Sequence, residues 1–166
     1  LLFLEAQRDP DREGMGSTLV AATVDQDTMY VANVGDSRVY LYRNGELVQL
    51  TEDHTYVNTL LNAGIISQEQ AAVDERKNVI TKALGAEDTV EPDFFQLEIV
   101  KNDILILCTD GLYDEVDERS MKTILEKDIS MSDVCAEMVD AANKNGGHDN
   151  ITIISIKVTE EDVDEQ

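Results

Sequence analysis

Basic residues are scarce in this sequence: 13 lysines and arginines stand against 35 aspartates and glutamates, a formal net charge of −22. Such a field repels phosphate backbones and anionic lipid surfaces, which argues against nucleic acid and membranes as partners. Long apolar runs are lacking too. No stretch approaches the ~20 residues that a membrane-spanning helix needs, and Leu1 to Leu4 are too few, without basic flanks, for a secretory signal. Cysteine is nearly absent. Cys108 sits in an apolar run and Cys135 on an apolar helical stripe, with no CxxC pair and no disulfide framework, which points to a reducing cytoplasm. Neither an internal repeat nor a dividing linker is visible. At 166 residues, 42% of them hydrophobic, the chain can bury the core of one domain, taken as 1–158, before an acidic tail at 159–166.

The run Ile104 to Cys108 reads as a short strand buried on both faces. It ends in Thr109-Asp110-Gly111, so a core strand delivers a carboxylate to a tight turn. A carboxylate there needs a cation, a metal ion or backbone N–H groups as partner. Upstream, Leu1 to Gln7 resemble the tail of a helix already under way, which predicts that something precedes it. Leu19–Val24, Met29–Val34, Arg38–Arg43 and Glu46–Leu50 alternate as strands, with Asn44-Gly45 as a type I′ hairpin turn. Their short connections predict an antiparallel meander. Thr51 to Thr55 cap a helix closed by Gly64, and Ser67 to Gln70 spell a capping box. The polar stretch Asp74 to Asn78 predicts a mobile surface flap that shapes substrate access, after which Val79 to Gly85 return to the core. Phe95, Leu97 and Ile99 form a further strand. Asp117 and Ser130 start two helices, the second with a stripe of Met131, Val134, Cys135, Met138, Val139 and Ala142 that reads as core. A last strand follows at Ile151 to Val158. Strand runs alternating with helical runs, with hairpins dominant, argue for a layered α+β fold.

Asp36, Asp110 and Asp149 each border a strand end within two residues of a glycine. Converging strand ends would bring them to one rim, with Asp114 adding a further oxygen. Hard oxygen donors without clustered Cys or His select Mg²⁺ or Mn²⁺ rather than Zn²⁺. Two such ions would lower the pKa of a shared water and clamp a phosphoryl group. His148 reads as a loop residue or an acid/base, and His54 as a structural or flap-positioning residue. Ser17 and Ser37 have no base nearby in sequence, so a serine nucleophile is unsupported.

Gly14-Met15-Gly16-Ser17-Thr18, Val34-Gly35-Asp36-Ser37-Arg38, Leu50-Thr51-Glu52-Asp53-His54, Ile80-Thr81-Lys82-Ala83-Leu84-Gly85, Cys108-Thr109-Asp110-Gly111-Leu112 and Gly146-Gly147-His148-Asp149-Asn150 resemble, in order, the motifs of the metal-dependent type 2C serine/threonine protein phosphatases. The spacing is that of the short bacterial members. The resemblance implies an α-β-β-α sandwich of two antiparallel sheets flanked by helices, with two or three Mg²⁺ or Mn²⁺ ions at one end. It implies Asp110 and Asp149 as ligands of the first ion. Asp36, with Asp110 and Asp114, would serve a weaker third ion; Asn150 and Gly111 would support the site, Asn150 as its buttress. Phosphorylated proteins would be the substrates, opposed by a serine/threonine kinase.

The family's phosphate-binding arginine, early acidic ligand and Asp-Gly-His-Gly motif with its general-acid histidine have no counterpart between Leu1 and Gly14. The catalytic residues proper are therefore not assigned. The resemblance further implies exposed strand edges and apolar surface, a weak or inactive chain when alone, and a partner or swapped copy completing the site. A haloacid-dehalogenase reading fails because Cys108 stands where that family's nucleophilic aspartate would be. A non-catalytic, metal-binding interaction module is the alternative from a different class.

Overall fold

The computed structural model describes residues 1–159; the rest of the expected acidic tail lies outside the described residues. After helix α1 (Leu2–Arg8) come strands β1 (Leu19–Asp25), β2 (Thr28–Val34), β3 (Arg38–Arg43) and β4 (Glu46–Gln49). Helices α2 (Tyr56–Asn62) and α3 (Gln68–Ala72) precede β5 (Asp93–Glu98) and β6 (Ile104–Cys108). Helices α4 (Asp110–Tyr113), α5 (Glu118–Leu125) and α6 (Met131–Asn145) lead to β7 (Ile153–Lys157). The helix starts follow local chemistry. Thr55, Asp117 and Ser130 accept backbone N–H groups as N-caps, and Ser67 with Gln70 closes the expected capping box.

Two antiparallel sheets result, ordered β1-β2-β5 and β4-β3-β6-β7. The expected meander is not what forms: β2 and β3 belong to different sheets. Gly35 lies between them at φ +104°, and a Cβ there would stand 2.4 Å from Thr18 Cγ2. That left-handed step turns the chain out of one sheet and into the other. The Asn44-Gly45 hairpin does form, with both residues at positive φ as a type I′ turn requires.

Strand β6 is buried along its whole length and serves two cores. Leu105 and Leu107 pack with Met29, Val31, Val39 and Leu41 between the sheets. Ile104, Ile106 and Cys108 pack with Leu112, Met121, Val134 and Met138 under α4, α5 and α6. Burying a side chain such as Leu105 is worth about 2–3 kcal/mol, and truncating one to alanine costs about 2–5 kcal/mol. The outer face of the three-stranded sheet is bare: Phe94 is 75% exposed, Tyr30 42%, and an apolar depression of about 400 Å³ lies against Ala21, Thr23, Ala32 and Phe94. The two antiparallel sheets with flanking helices form as expected, with α4, α5 and α6 packed on the four-stranded sheet; among the described residues, no helical layer covers the outer face of the three-stranded one.

One expectation is corrected here. Val79 and Ile80 are 50% and 40% exposed, so Val79 to Gly85 do not return to the core. Backbone pairing holds them instead: Tyr56 N–H donates to Val79 O, Thr81 N–H to His54 O, and Ser17 and Leu84 exchange hydrogen bonds.

Candidate metal centre

The β3–β6 ladder ends with Arg38 opposite Cys108, and the β6–β7 ladder with Cys108 opposite Ile153. Asp36 precedes Arg38, Asp110 follows Cys108, and Asp149 precedes Ile153. All three therefore leave the four-stranded sheet at one end. Thr109 ties the Asp110 and Asp149 loops together. Its N–H donates to Thr152 O (3.2 Å), its hydroxyl donates to Asn150 O (3.2 Å), and Thr152 N–H donates to that hydroxyl (3.0 Å). Gly111 makes the approach possible, since a Cβ on it would lie 2.4 Å from Asn150 O. Asp110 opens α4 rather than a simple turn, and its Oδ1 accepts the Gly111 N–H at 2.9 Å. Asp149 Oδ1 accepts the Asn150 N–H at 2.6 Å.

The electrostatics report the same proximity. Burial raises the Asp110 carboxyl above the usual range, and the neighbouring charge of Asp149 raises it further. Burial and then the charge of Asp110 raise Asp36 in the same way. These carboxylates sit together at a cost that a cation would relieve. Among the described residues, no three His, Cys, Asp or Glu side chains converge on one point suited to an ion. Mg²⁺ does not demand that, because it is commonly held by one or two carboxylates with water and phosphate oxygens completing the shell. All-oxygen donors of this kind have the chemistry of a hard divalent ion.

Asp114 is engaged elsewhere. Lys77 Nζ of the flap donates to its Oδ2 at 2.9 Å. The flap is docked rather than loose. Arg76 pairs with Asp74, which holds that carboxyl down at about 2, and packs over the Tyr56 ring. Beneath it a cavity of about 390 Å³, lined by Thr55, Asn58, Leu61, Ala71, Lys77 and Tyr113, runs to Asp114. His148 stands 79% exposed with Nδ1 at 2.6 Å from Glu115 Oε1. Asn150 presents its backbone to the site, since both Thr109 and Asp149 are bonded to its main chain.

The family-model comparison matches residues 3–60 to Protein phosphatase 2C and residues 51–159 to Stage II sporulation protein E (SpoIIE). The solved serine/threonine phosphatase PstP/Ppp of Mycobacterium tuberculosis superposes with a TM-score of 0.90 at 33% identity, covering 96% of this chain and 67% of that one. The chain belongs to the protein phosphatase 2C family. Among curated phosphatase 2C relatives, the serine/threonine phosphatase stp of Listeria welshimeri is 44% identical over 156 residues, which is 94% of this chain and 62% of that protein. The chain thus spans about 62% of such a relative's length. The phosphatase 2C family depends on magnesium or manganese. A structure of the PstP catalytic domain in complex with two manganese ions is 33% identical, with a TM-score of 0.86, covering 96% of this chain and 66% of that one.

Sequence reading passed over the residues that hold the phosphatase 2C rim in shape. Tyr113 donates its hydroxyl to Asp36 O at 2.9 Å, and burial pushes its phenol well above the usual value. Arg38 lies 3.5 Å over the Tyr113 ring, forks onto Asp53 (Nε to Oδ1 2.9 Å, Nη2 to Oδ2 2.6 Å) and donates to Tyr40 OH at 2.8 Å. Burial opposes its charge, but Asp53 and Tyr40 more than offset that and hold it protonated. Its charge is consumed by Asp53, so Arg38 shapes the rim rather than gripping a phosphate. No spacing rule links positions 36, 38, 53 and 113.

Proposed function

We propose that this chain carries the metal-binding half of a site that hydrolyses phosphoserine and phosphothreonine on proteins, using Mg²⁺ or Mn²⁺. The observation that carries the reading is the gathering of Asp36, Asp110 and Asp149 at one sheet end, in a chain whose relatives are named serine/threonine phosphatases. Asp110 and Asp149 would hold the first ion. Asp36 and Asp110 would hold a weaker one, which Asp114 joins once Lys77 lets go of it. Bound there, the ions supply a water of lowered pKa and neutralise charge on the phosphoryl oxygens. The chain's own groups do the arranging: Thr109 and Gly111 set the spacing of the two loops, Tyr113 fixes Asp36, and the flap walls the approach to Asp114.

A phosphorylated protein, opposed by a serine/threonine kinase, is the substrate this reading implies. No helix of the described residues is long and apolar enough to cross a membrane. Both cysteines are free, which supports a reducing setting. The bare outer face of the three-stranded sheet supports a further polypeptide, from a partner or a swapped copy, covering it. Mn²⁺-dependent hydrolysis of p-nitrophenyl phosphate and of a phosphothreonine peptide by the purified chain tests the proposal. Turnover that disappears in Asp110→Asn supports it. Mn²⁺ binding without turnover, even with a full-length relative's preceding segment added in trans, would make the chain a non-catalytic metal-binding module instead.

A further inference from the structure

Gly35 is buried, sits at φ +104°, and is joined directly to Asp36. Glycine has the largest backbone freedom of any residue, so the direction in which Asp36 leaves it depends on what pins the Gly35 peptide groups. Both are tied to one residue. His54 N–H donates to Gly35 O at 3.0 Å, and Gly35 N–H donates to His54 Nδ1 at 2.9 Å. Asn33 Nδ2 adds only a long 3.5 Å contact to the same carbonyl. An imidazole nitrogen that accepts an N–H carries no proton, so the tautomer of His54 is the one with hydrogen on Nε2. That nitrogen lies 3.0 Å from Asp93 Oδ2, off the line of a well-aligned hydrogen bond. Lys82 binds the other Asp93 oxygen at 2.8 Å, and Lys82 first, then His54, holds the Asp93 carboxyl below its usual range. His54 itself is 10% exposed.

We infer that His54 is a positioning residue for Asp36: neutral, with Nδ1 toward the Gly35 N–H and Nε2–H toward Asp93, it brackets the Gly35 peptide and thereby sets where the Asp36 carboxylate stands. Asp36 is then held from two sides, by His54 on the peptide before it and by the Tyr113 hydroxyl on its own carbonyl. The bracket extends to the flap base, because His54 O accepts the Thr81 N–H at 2.8 Å. His54 touches neither an ion nor a substrate. Its contribution runs through Asp36, and it rests on the metal-site reading above only where Asp36 is a ligand.

Two substitutions separate the arms of the ring. His54→Asn keeps an oxygen near the Nδ1 position, where it can accept from Gly35, and drops the Asp93 arm. His54→Gln reaches toward Asp93 but leaves the buried Gly35 N–H without its acceptor. In the whole chain, Gly35 amide exchange should be at least ~10-fold faster in His54→Gln and close to the parent in His54→Asn. Mn²⁺ affinity by calorimetry should drop about 10-fold in His54→Gln, as for other residues that orient a ligand from behind, and recover in His54→Asn. Imidazole ¹⁵N spectra of the unaltered protein should show Nε2 protonated and Nδ1 bare, a measurement that needs no variant to fold. Equal Gly35 exchange in the two variants, or a proton on Nδ1, overturns the proposal. If the parent binds no Mn²⁺ at all, the metal-site reading fails, while the exchange contrast and the tautomer still decide the role of His54.

Discussion

Replacing Gly111 by alanine tests whether the close approach of the Asp110 and Asp149 loops is built into the packing. The residue lies in α4 with no positive φ, so the backbone itself accepts a side chain, and alanine is the better helix former by about 0.5–1 kcal/mol. The new Cβ, however, would stand 2.4 Å from Asn150 O, 3.0 Å from Asn150 C and 3.3 Å from Ile151 Cγ1. Two of these are main-chain atoms, which cannot rotate away. The 149–152 segment must retreat by about 1 Å to reach ordinary contact, a strain of the kind that costs about 1–3 kcal/mol. The retreat also stretches the Thr109 bonds to Asn150 and Thr152, worth about 1 kcal/mol each. The expected net loss is about 2–3 kcal/mol, or about 5–10 °C in Tm for a domain of this size. Scanning calorimetry of the metal-free protein reads the stability, and Mn²⁺ titration reads the widened Asp110–Asp149 gap as weaker binding. The sign decides the matter. A Gly111→Ala protein that melts at or above the parent temperature would show that helix propensity wins, and the approach would have no packing basis.

Asp110→Asn should have opposite effects with and without metal. Asp110 is raised in the folded state, so its ionised form penalises folding at pH above that raised value, and the penalty fades as pH falls below the ordinary carboxylate range. With chelator at pH 7 the variant should therefore melt above the parent, and in Mn²⁺ below it; the same order in both buffers would refute the electrostatic account. Arg38→Lys keeps the charge but loses the fork on Asp53 and the bond to Tyr40, and should cost about 2 kcal/mol by urea denaturation. A loss under about 0.5 kcal/mol would mean that the Arg38 network is ornamental. Exchanging residues 74–78 for a Gly/Ser loop removes the Lys77–Asp114 contact and should change preference among phosphopeptides. Unchanged kinetics on several peptides would refute a role for the flap.

What the linear pattern reveals best is whatever one short segment decides alone. The β6 run, the Asn44-Gly45 turn and the Ser67–Gln70 cap each hold their whole cause within a few residues, and each formed as expected. Sheet membership was not readable, because the break at Gly35 looks like any turn until Thr18 is known to lie against it. Val79 and Ile80 misled for a related reason: their hydrophobicity suggested a core, whereas backbone pairing keeps them at the surface. At the rim, the acidic residues bordering strand ends were visible as candidates. Of the residues that aim them, His54 was readable only as a structural or flap-positioning residue, and Tyr113, Arg38 and Asp53 meet only through the fold. Asp114 shows the limit from the other side, because nothing near it in sequence announces Lys77 as its partner.

Strand β6 belongs to two hydrophobic layers and leads through Thr109 to Asp110. A slip of one residue along it would exchange those layers and carry the carboxylate about 3.3 Å out of place. The placement of Asp110 is consequently tied to the packing of both layers. Random exchange of aliphatic residues within this strand should accordingly erode metal affinity sooner than it unfolds the chain, because a side chain can be accommodated by small axial shifts that a coordination shell does not forgive.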